Sequence, residues 1–158
     1  MGVKFGVALG AEVTAISVNE SKAGEAKKLG AHHFLATSNK AARKAAAQSL
    51  EVILFTANGK NMDFKRYVKL LAPNGKFIMV GAPENPVSFN ALQMICGQIS
   101  FTGSHIGSPA TIQEMLKLAS EHNIVADIQT FPIEQVNDAI QGVRDGKPHF
   151  RYVLKITH

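Results

Sequence analysis

The sequence alternates short apolar runs with stretches of helical periodicity, and this alternation limits the folds that the chain can adopt. Two runs, "LEVILFTA" and "KFIMVG", are apolar almost throughout, as expected of strands buried on both faces of a sheet. Between them, "MDFKRYVKLLAPNG" has Phe64, Val68 and Leu71 at helical spacing and ends at Pro-Asn-Gly. Strands that alternate with helices across short loops predict an α/β fold with a parallel, doubly wound sheet.

The remaining segments continue this rhythm up to about Ile124. Ser38 is predicted to cap an alanine-rich helix, and Ser108 is predicted to cap the clearest helix, "SPATIQEMLKLASEHN". After that the pattern changes to "IVADIQTFP", "IEQVNDAIQGVRDG" and "HFRYVLKI", which predict a strand, a helix and a last strand. We therefore predict a main domain over residues 1–123 and a C-terminal tail over residues 124–158.

Composition narrows the class of protein further. The 158 residues are 46% hydrophobic with a net charge of +5, and neither a membrane span nor a signal peptide is visible, so a cytoplasmic protein is expected. The single cysteine, Cys96, excludes a cysteine-rich zinc site and is predicted to be a buried structural thiol. The basic stretch "KAARKAAAQS" is interpreted as a solvated helix face, because no stacking or base-reading residues accompany it; nucleic-acid binding is not expected.

Open polar loops follow four of the predicted strands. They are "VNESK", "ANGKN", "APENP" and "SHIGSP". In doubly wound sheets, nucleotides bind outside the carboxyl ends of the strands. Together the four loops predict a nucleotide site at that edge.

The residue that ends the "EVTAIS" strand bears on the choice of nucleotide. An acidic residue at this position would bind the ribose hydroxyl of NAD and repel a 2′-phosphate, but the position holds Ser17. A hydroxyl here and the cation of Lys22 suit a phosphate, whereas Glu20 between them does not. The alternative is that Ser17 only ends a strand and that Ser21 and Lys22 only begin a helix.

Four long blocks of the sequence resemble a known family. They are "ALGAEVTAISVNESKAGEAKKLGAHHFLAT", "KLLAPNGKFIMVGAPENPVSF", "GSHIGSPATIQEMLKLASEHNI" and "FPIEQVNDAIQGVRDGKPHFRYVLKI". In order and spacing they are similar to the C-terminal half of medium-chain, zinc-type alcohol dehydrogenases, closest to the cinnamyl-alcohol-dehydrogenase-like branch that reduces aldehydes with NADPH. The resemblance implies a Rossmann-like fold and NADP as the cofactor, with an aldehyde or alcohol as the substrate of the full-length enzyme.

The resemblance also implies positions that contact the cofactor. Ser17 and Lys22 match positions that hold the 2′-phosphate, and Arg151 matches an arginine that reaches the pyrophosphate. The other positions are Thr56 and Ala57 beside the adenosine and pyrophosphate, Val80, Gly81 and Ala82 against the nicotinamide ribose, and Ser104, His105 and Ile106 at the carboxamide.

The family's zinc-bearing catalytic half corresponds to nothing in these 158 residues, and no catalytic or metal-binding residue is predicted. The chain also lacks the glycine-rich turn and the first, central strand of the family's sheet, and no G-x-G-x-x-G motif occurs. Zinc-free chemistry of the short-chain dehydrogenase type is excluded, since neither Tyr67 nor Tyr152 is followed four residues on by lysine. The chain by itself is therefore expected to be inactive; the alternative to an enzyme part is a catalytically silent, weakly nucleotide-binding or self-associating module.

The missing central strand leads to a structural expectation. "EVTAIS" and "LEVILFT" would face a gap with unpaired backbone groups. We expect the gap to be closed by direct pairing of these strands, by "HFRYVLKI", or by another copy of the chain. A homodimer through the edge strand in "QISFTG" is also predicted from the resemblance.

Overall fold

The computed structural model describes residues 1–58 and 62–156. In chain order its elements are α1 (Gly2–Ala8), β1 (Thr14–Ser17), a 3₁₀ turn (Glu20–Lys22), α2 (Ala23–Lys28), β2 (His33–Ala36), α3 (Lys40–Ala45), β3 (Leu50–Phe55), α4 (Phe64–Val68), β4 (Leu71–Met79), α5 (Ala91–Gly97), β5 (Ser100–Gly103), α6 (Pro109–Glu121), β6 (Gln129–Pro132), a second 3₁₀ turn (Ile133–Gln135), α7 (Val136–Arg144) and β7 (Tyr152–Lys155). They form two compact units, Met1–Leu118 and Ala119–His158.

The first unit confirms the predicted α/β fold with parallel strands. β1 pairs with β2, and Ser17 lies opposite Ala36. β3, β4 and β5 form a second parallel sheet in that order, in which Phe55 lies opposite Met79 and Met79 opposite Gly103. Helices or turns connect these strands, as parallel pairing requires.

Aromatic side chains fill the core of this unit. Phe77 on β4 is 0% exposed. Its ring lies 5.6 Å from that of Phe55 and 6.2 Å from that of Phe64, and it stacks on Phe101 at 5.1 Å. Leu35 of β2 belongs to the same buried cluster, so one core lies beneath both sheets.

The helix ends mostly agree with the sequence. Ser108 caps α6 as predicted, because its Oγ accepts a hydrogen bond from the backbone N–H of Thr111 at 3.2 Å. The predicted cap of α3 was wrong by one residue: the Oδ1 of Asn39, not Ser38, accepts the N–H of Ala42 at 3.0 Å. Cys96 was also predicted wrongly, since it lies on α5 and is exposed rather than buried.

Within the described residues, no strand closes the gap between β1 and β3. Among residues 1–58 and 62–156, no ladder joins these two strands, and β7 pairs with β6 instead. Both intrachain closures were therefore predicted wrongly. α1 lies against both neighbours: a Cβ placed on Gly2 would lie 3.6 Å from Leu54 of β3, and one on Gly6 would lie 2.9 Å from the side chain of Val13. α1 therefore lies beside β3 and beside the residue that precedes β1.

The second unit confirms the predicted strand–helix–strand order of the tail. β6 and β7 are parallel, and the rings of Phe131 and Tyr152 lie 4.7 Å apart between them. α7 packs on this pair through the buried Gly142, where a Cβ would lie 2.8 Å from the ring of Tyr152. No helix in the described parts of the chain is long and apolar enough to cross a membrane.

Tyr67 of α4 provides a pH-dependent test of this packing. Burial raises the pKa of Tyr67 above its ordinary value of 10.0, and a hydrogen bond with the Thr37 side chain partly opposes the rise. Because the unfolded chain ionises first, stability should fall as the pH rises through the raised pKa. The tyrosine ionisation that Tyr67→Phe removes from an ultraviolet absorbance titration should have its midpoint above pH 10.0. Loss of an ionisation with its midpoint at or below pH 10.0 would contradict the packing.

Candidate functional site

Three of the predicted loops form one row at the carboxyl edge of the β3–β4–β5 sheet. The backbone N–H groups of Val80 and Gly81 both donate to the carbonyl of Phe55 at 3.0 Å, and the N–H of Ser104 donates to the carbonyl of Met79 at 3.0 Å. These bonds continue the ladders past the strand ends and fix each loop to its neighbour. The structure thereby brings together Thr56 and Ala57, Val80, Gly81 and Ala82, and Ser104, His105 and Ile106.

The row is open to solvent and closely packed along its backbone. Gly81 is half-buried, and the other residues of the row are exposed. A Cβ on Gly81 would lie 2.8 Å from the carbonyl carbon of Thr56 and 2.9 Å from that of Ala57. Only glycine allows the β3 and β4 loops to approach this closely. The close approach leaves main-chain groups of the two loops side by side at the surface.

Ser17 and Lys22 lie on either side of a short turn at the carboxyl end of β1. Ser17 is the last residue of the strand, and its carbonyl accepts the N–H of Thr37 at 2.8 Å. Lys22 ends the 3₁₀ turn Glu20–Lys22, is exposed, and forms no ion pair with a described residue. The strand end thus presents a hydroxyl-bearing residue and an available cation, with the exposed Glu20 between them in sequence.

Asn19 holds this turn in place, a role that the prediction from sequence missed. Its Oδ1 accepts the backbone N–H of Ser21 at 3.1 Å and caps the turn. Asparagine two residues before a turn N–H is the usual pattern of an Asx turn, so "NES" carried the signal. Asn19 thereby fixes the start of the turn that ends at Lys22.

Arg151 belongs to the second unit and is described with it. It is exposed and directly precedes β7, and its carbonyl accepts the N–H of Gln129 at 2.9 Å. Arg151 lies in the second unit, whereas the other predicted positions lie in the first.

The described residues do not fit a zinc ion. No group of three His, Cys, Asp or Glu side chains in residues 1–58 and 62–156 lies close enough to hold a metal. The neighbouring histidines have separate partners: His32 Nδ1 accepts the N–H of Val13 at 3.0 Å, and His33 Nε2 lies 2.7 Å from Glu12 Oε1. The hydrogen bond from His33 lowers the pKa of the exposed Glu12.

Comparison with known proteins bears on this arrangement. The family model described as zinc-binding dehydrogenase matches residues 1–121. The chain belongs to this family. An aldehyde reductase of Synechocystis sp. is 39% identical over 154 residues, which cover 98% of the chain and 46% of that protein. A mannitol dehydrogenase of Petroselinum crispum is 37% identical over 100% of the chain and 47% of its own length.

Solved structures of dehydrogenases have the same fold. A cinnamyl alcohol dehydrogenase from Sorghum bicolor superposes with a TM-score of 0.89 at 37% identity, over 98% of this chain and 44% of that one. A second, from Helicobacter pylori and complexed with NADP(H), superposes with a TM-score of 0.79 at 32% identity, again over 98% and 44%. The resemblance to cinnamyl-alcohol-dehydrogenase-like enzymes is confirmed. The chain spans about half the length of the relatives that it matches.

Proposed function

We propose that this chain is the cofactor-binding part of an NADP-dependent alcohol dehydrogenase, and that it binds NADP(H) along the carboxyl edge of its strands. One observation carries the proposal: the loops after β3, β4 and β5 are fixed in a single row by hydrogen bonds to the Phe55 and Met79 carbonyls. A row of main-chain groups at this edge suits the extended shape of a dinucleotide. The complex of the Helicobacter pylori relative with NADP(H) supports the same cofactor.

The resemblance to the family implies a role for each loop in the row. The bound cofactor carries the hydride that an aldehyde accepts or an alcohol gives up. We assign Thr56 and Ala57 to the adenosine and pyrophosphate side, the Gly81 loop to the nicotinamide ribose, and the Ser104 loop to the carboxamide. Arg151 stays a proposed pyrophosphate contact on the resemblance alone. The chain's own part is to bind the cofactor and orient it.

The choice of NADP over NAD is proposed to lie at the end of β1. Ser17 supplies a hydroxyl donor and Lys22 a cation, and both suit a phosphate dianion. The hydrogen bond that Asn19 Oδ1 accepts from the N–H of Ser21 caps the short turn that ends at Lys22. Glu20 is exposed, which permits its carboxylate to stay in solvent away from a phosphate.

A second candidate function is a nucleotide-binding module without turnover. The donor set favours it: the chain has one cysteine, and its described residues bring no three metal-ligating side chains together. Mixing the chain with NADPH, an aromatic aldehyde and zinc should give no change in NADPH absorbance above background. Steady oxidation of NADPH would rule out this second candidate.

Calorimetric titration of NADPH and NADH tests the cofactor assignment. We expect NADPH to bind more tightly, and Lys22→Ala to weaken NADPH binding about 10- to 100-fold, the usual effect of losing a charged hydrogen bond, with little change for NADH. Lys28→Ala is the matched control. Lys28 is an exposed lysine at the end of α2, and its removal should change neither the NADPH affinity nor the NADH affinity. Equal or tighter binding of NADH by the unsubstituted chain would overturn the assignment.

A further inference from the structure

We propose that Tyr67 is a positioning residue for the 2′-phosphate of NADP. Its hydroxyl bonds the Thr37 side chain and thereby holds the end of β1, which carries Ser17, in place relative to the loop that begins at Thr56. This inference rests on the proposed function, because it concerns how the adenosine end of the cofactor is received. Tyr67 itself is assigned no contact with the cofactor.

The ring of Tyr67 is held at the carboxyl end of β3. It packs against the buried cluster of the first unit and meets the ring of Phe55 edge-on at 5.7 Å. Phe55 is the last residue of β3 and directly precedes Thr56. In α4, the neighbouring Phe64 and Val68 are only 5% and 3% exposed and anchor the helix in the core. The position of the phenol hydroxyl is therefore tied to the end of β3.

Thr37 is tied in the same way to the end of β1. Its backbone N–H donates to the carbonyl of Ser17 at 2.8 Å, and the N–H of Ser38 donates to the carbonyl of Val18 at 2.8 Å. The residue is 6% exposed, and its side-chain hydroxyl is hydrogen-bonded to Tyr67. A buried hydroxyl without such a partner would be costly. Movement of Thr37 therefore moves Ser17 with it.

The bond between Tyr67 and Thr37 joins elements of two different sheets. Thr37 follows β2, which pairs with β1, whereas α4 connects β3 to β4. Apolar packing in the core is non-directional and favours no single spacing of the two sheets. A hydrogen bond has a preferred length and angle, so it favours one spacing. Because this bond lies at the carboxyl ends, the spacing that it favours is that between Ser17 and Thr56.

This spacing matters most for a ligand that contacts both strand ends. In the proposed site, the 2′-phosphate of NADP lies at Ser17 and its adenosine lies beside Thr56. Groups that are already in place need not be ordered when the ligand binds, which preserves affinity. NADH has no 2′-phosphate and makes less use of the Ser17 end. The bond should therefore contribute to the preference for NADPH as well as to its affinity.

Calorimetric titration of Tyr67→Phe with NADPH and NADH tests this proposal. Loss of one neutral hydrogen bond should weaken NADPH binding about three- to tenfold and NADH binding less. Tyr152→Phe is the matched control, because it removes a phenol hydroxyl from β7 in the second unit. It should change neither affinity.

Variants of Thr37 separate positioning from packing. Thr37→Val removes the same bond from the other side, so adding it to Tyr67→Phe should cause no further loss of NADPH affinity. Thr37→Ser keeps the hydroxyl and should bind NADPH like the unsubstituted chain. Melting midpoints of all variants show separately how far each substitution destabilises the fold.

Three results would overturn the proposal. Tyr67→Phe could bind NADPH as tightly as the unsubstituted chain, in which case Tyr67 only packs, whatever its melting midpoint. NADPH and NADH could lose affinity equally, or the losses of Tyr67→Phe and Thr37→Val could add. In all three, the unsubstituted chain still binds NADPH and the proposed function stands. An unsubstituted chain that bound neither nucleotide would refute the proposed function, and this inference with it.

Discussion

Replacing Gly81 with alanine is expected to destabilise the chain by about 1–3 kcal/mol, typical of an overpacked site, and to weaken NADPH binding at least about tenfold. The new Cβ would lie within 2.9 Å of the carbonyl carbons of both Thr56 and Ala57. The loop cannot easily retreat, because the N–H groups of Val80 and Gly81 are both bonded to the Phe55 carbonyl. Either loop must shift, and both belong to the proposed cofactor row.

Gly24→Ala is the matched control for this substitution. Gly24 lies in α2, and a Cβ there would meet no atom within 4 Å. Alanine in a helix is favoured over glycine by about 0.5–1 kcal/mol, so Gly24→Ala should raise the melting midpoint slightly and leave NADPH binding unchanged. Thermal melting followed by circular dichroism, together with calorimetry, measures both effects. If Gly81→Ala behaved like Gly24→Ala, the close approach of the β3 and β4 loops would be refuted.

Phe77→Ala is expected to cost about 3–5 kcal/mol, the usual range for removing a buried ring. Phe77 is 0% exposed and is surrounded by other aromatic rings, including Phe55, Phe64 and Phe101. Those rings come from β3, α4 and β5, so one cavity would loosen the packing of three elements. Since whole domains are stable by only about 5–15 kcal/mol, much of the chain should be unfolded before any denaturant is added.

Urea titration measures this loss, with Phe150→Ala as the control. Phe150 is 46% exposed, and its removal should change the free energy of unfolding by less than about 1 kcal/mol. Phe77→Leu keeps much of the side-chain volume, so its free energy of unfolding should lie between those of Phe77→Ala and Phe150→Ala. A midpoint for Phe77→Ala equal to that of Phe150→Ala would show that Phe77 is not the centre of the core.

The elements that the sequence predicted well are those with a strong local signal. β3 and β4 are nearly continuous apolar runs, and a serine followed by proline marks the start of α6. The errors arose where neighbours decide the outcome. Ser38 and Asn39 are both good cap residues, and only the path of the backbone selects Asn39. Cys96 lies in an apolar stretch, but its face of α5 is exposed.

The gap between β1 and β3 could not have been resolved from local sequence. The residues of β1 and β3 predict strands, but they do not say which strand each one pairs with; in the structure β1 pairs with β2 and β3 with β4. The candidate site, too, could be predicted from local sequence only in part. Its loops were predicted from Gly- and Ser-rich strand ends, whereas the close approach at Gly81 depends on the register of two strands. The turn at Asn19 had a local signal that was overlooked.

The most direct test of the central claim is a titration of the isotope-labelled chain with NADPH, followed residue by residue in nuclear magnetic resonance spectra. The account predicts saturable shifts of the backbone amides at the four strand ends, namely residues 17–22, 56–57, 80–82 and 104–106. Shifts concentrated instead in the groove beside α5, around Ala47, Leu92 and Cys96, would contradict it. So would the absence of any shift at the strand ends when NADPH is in large excess.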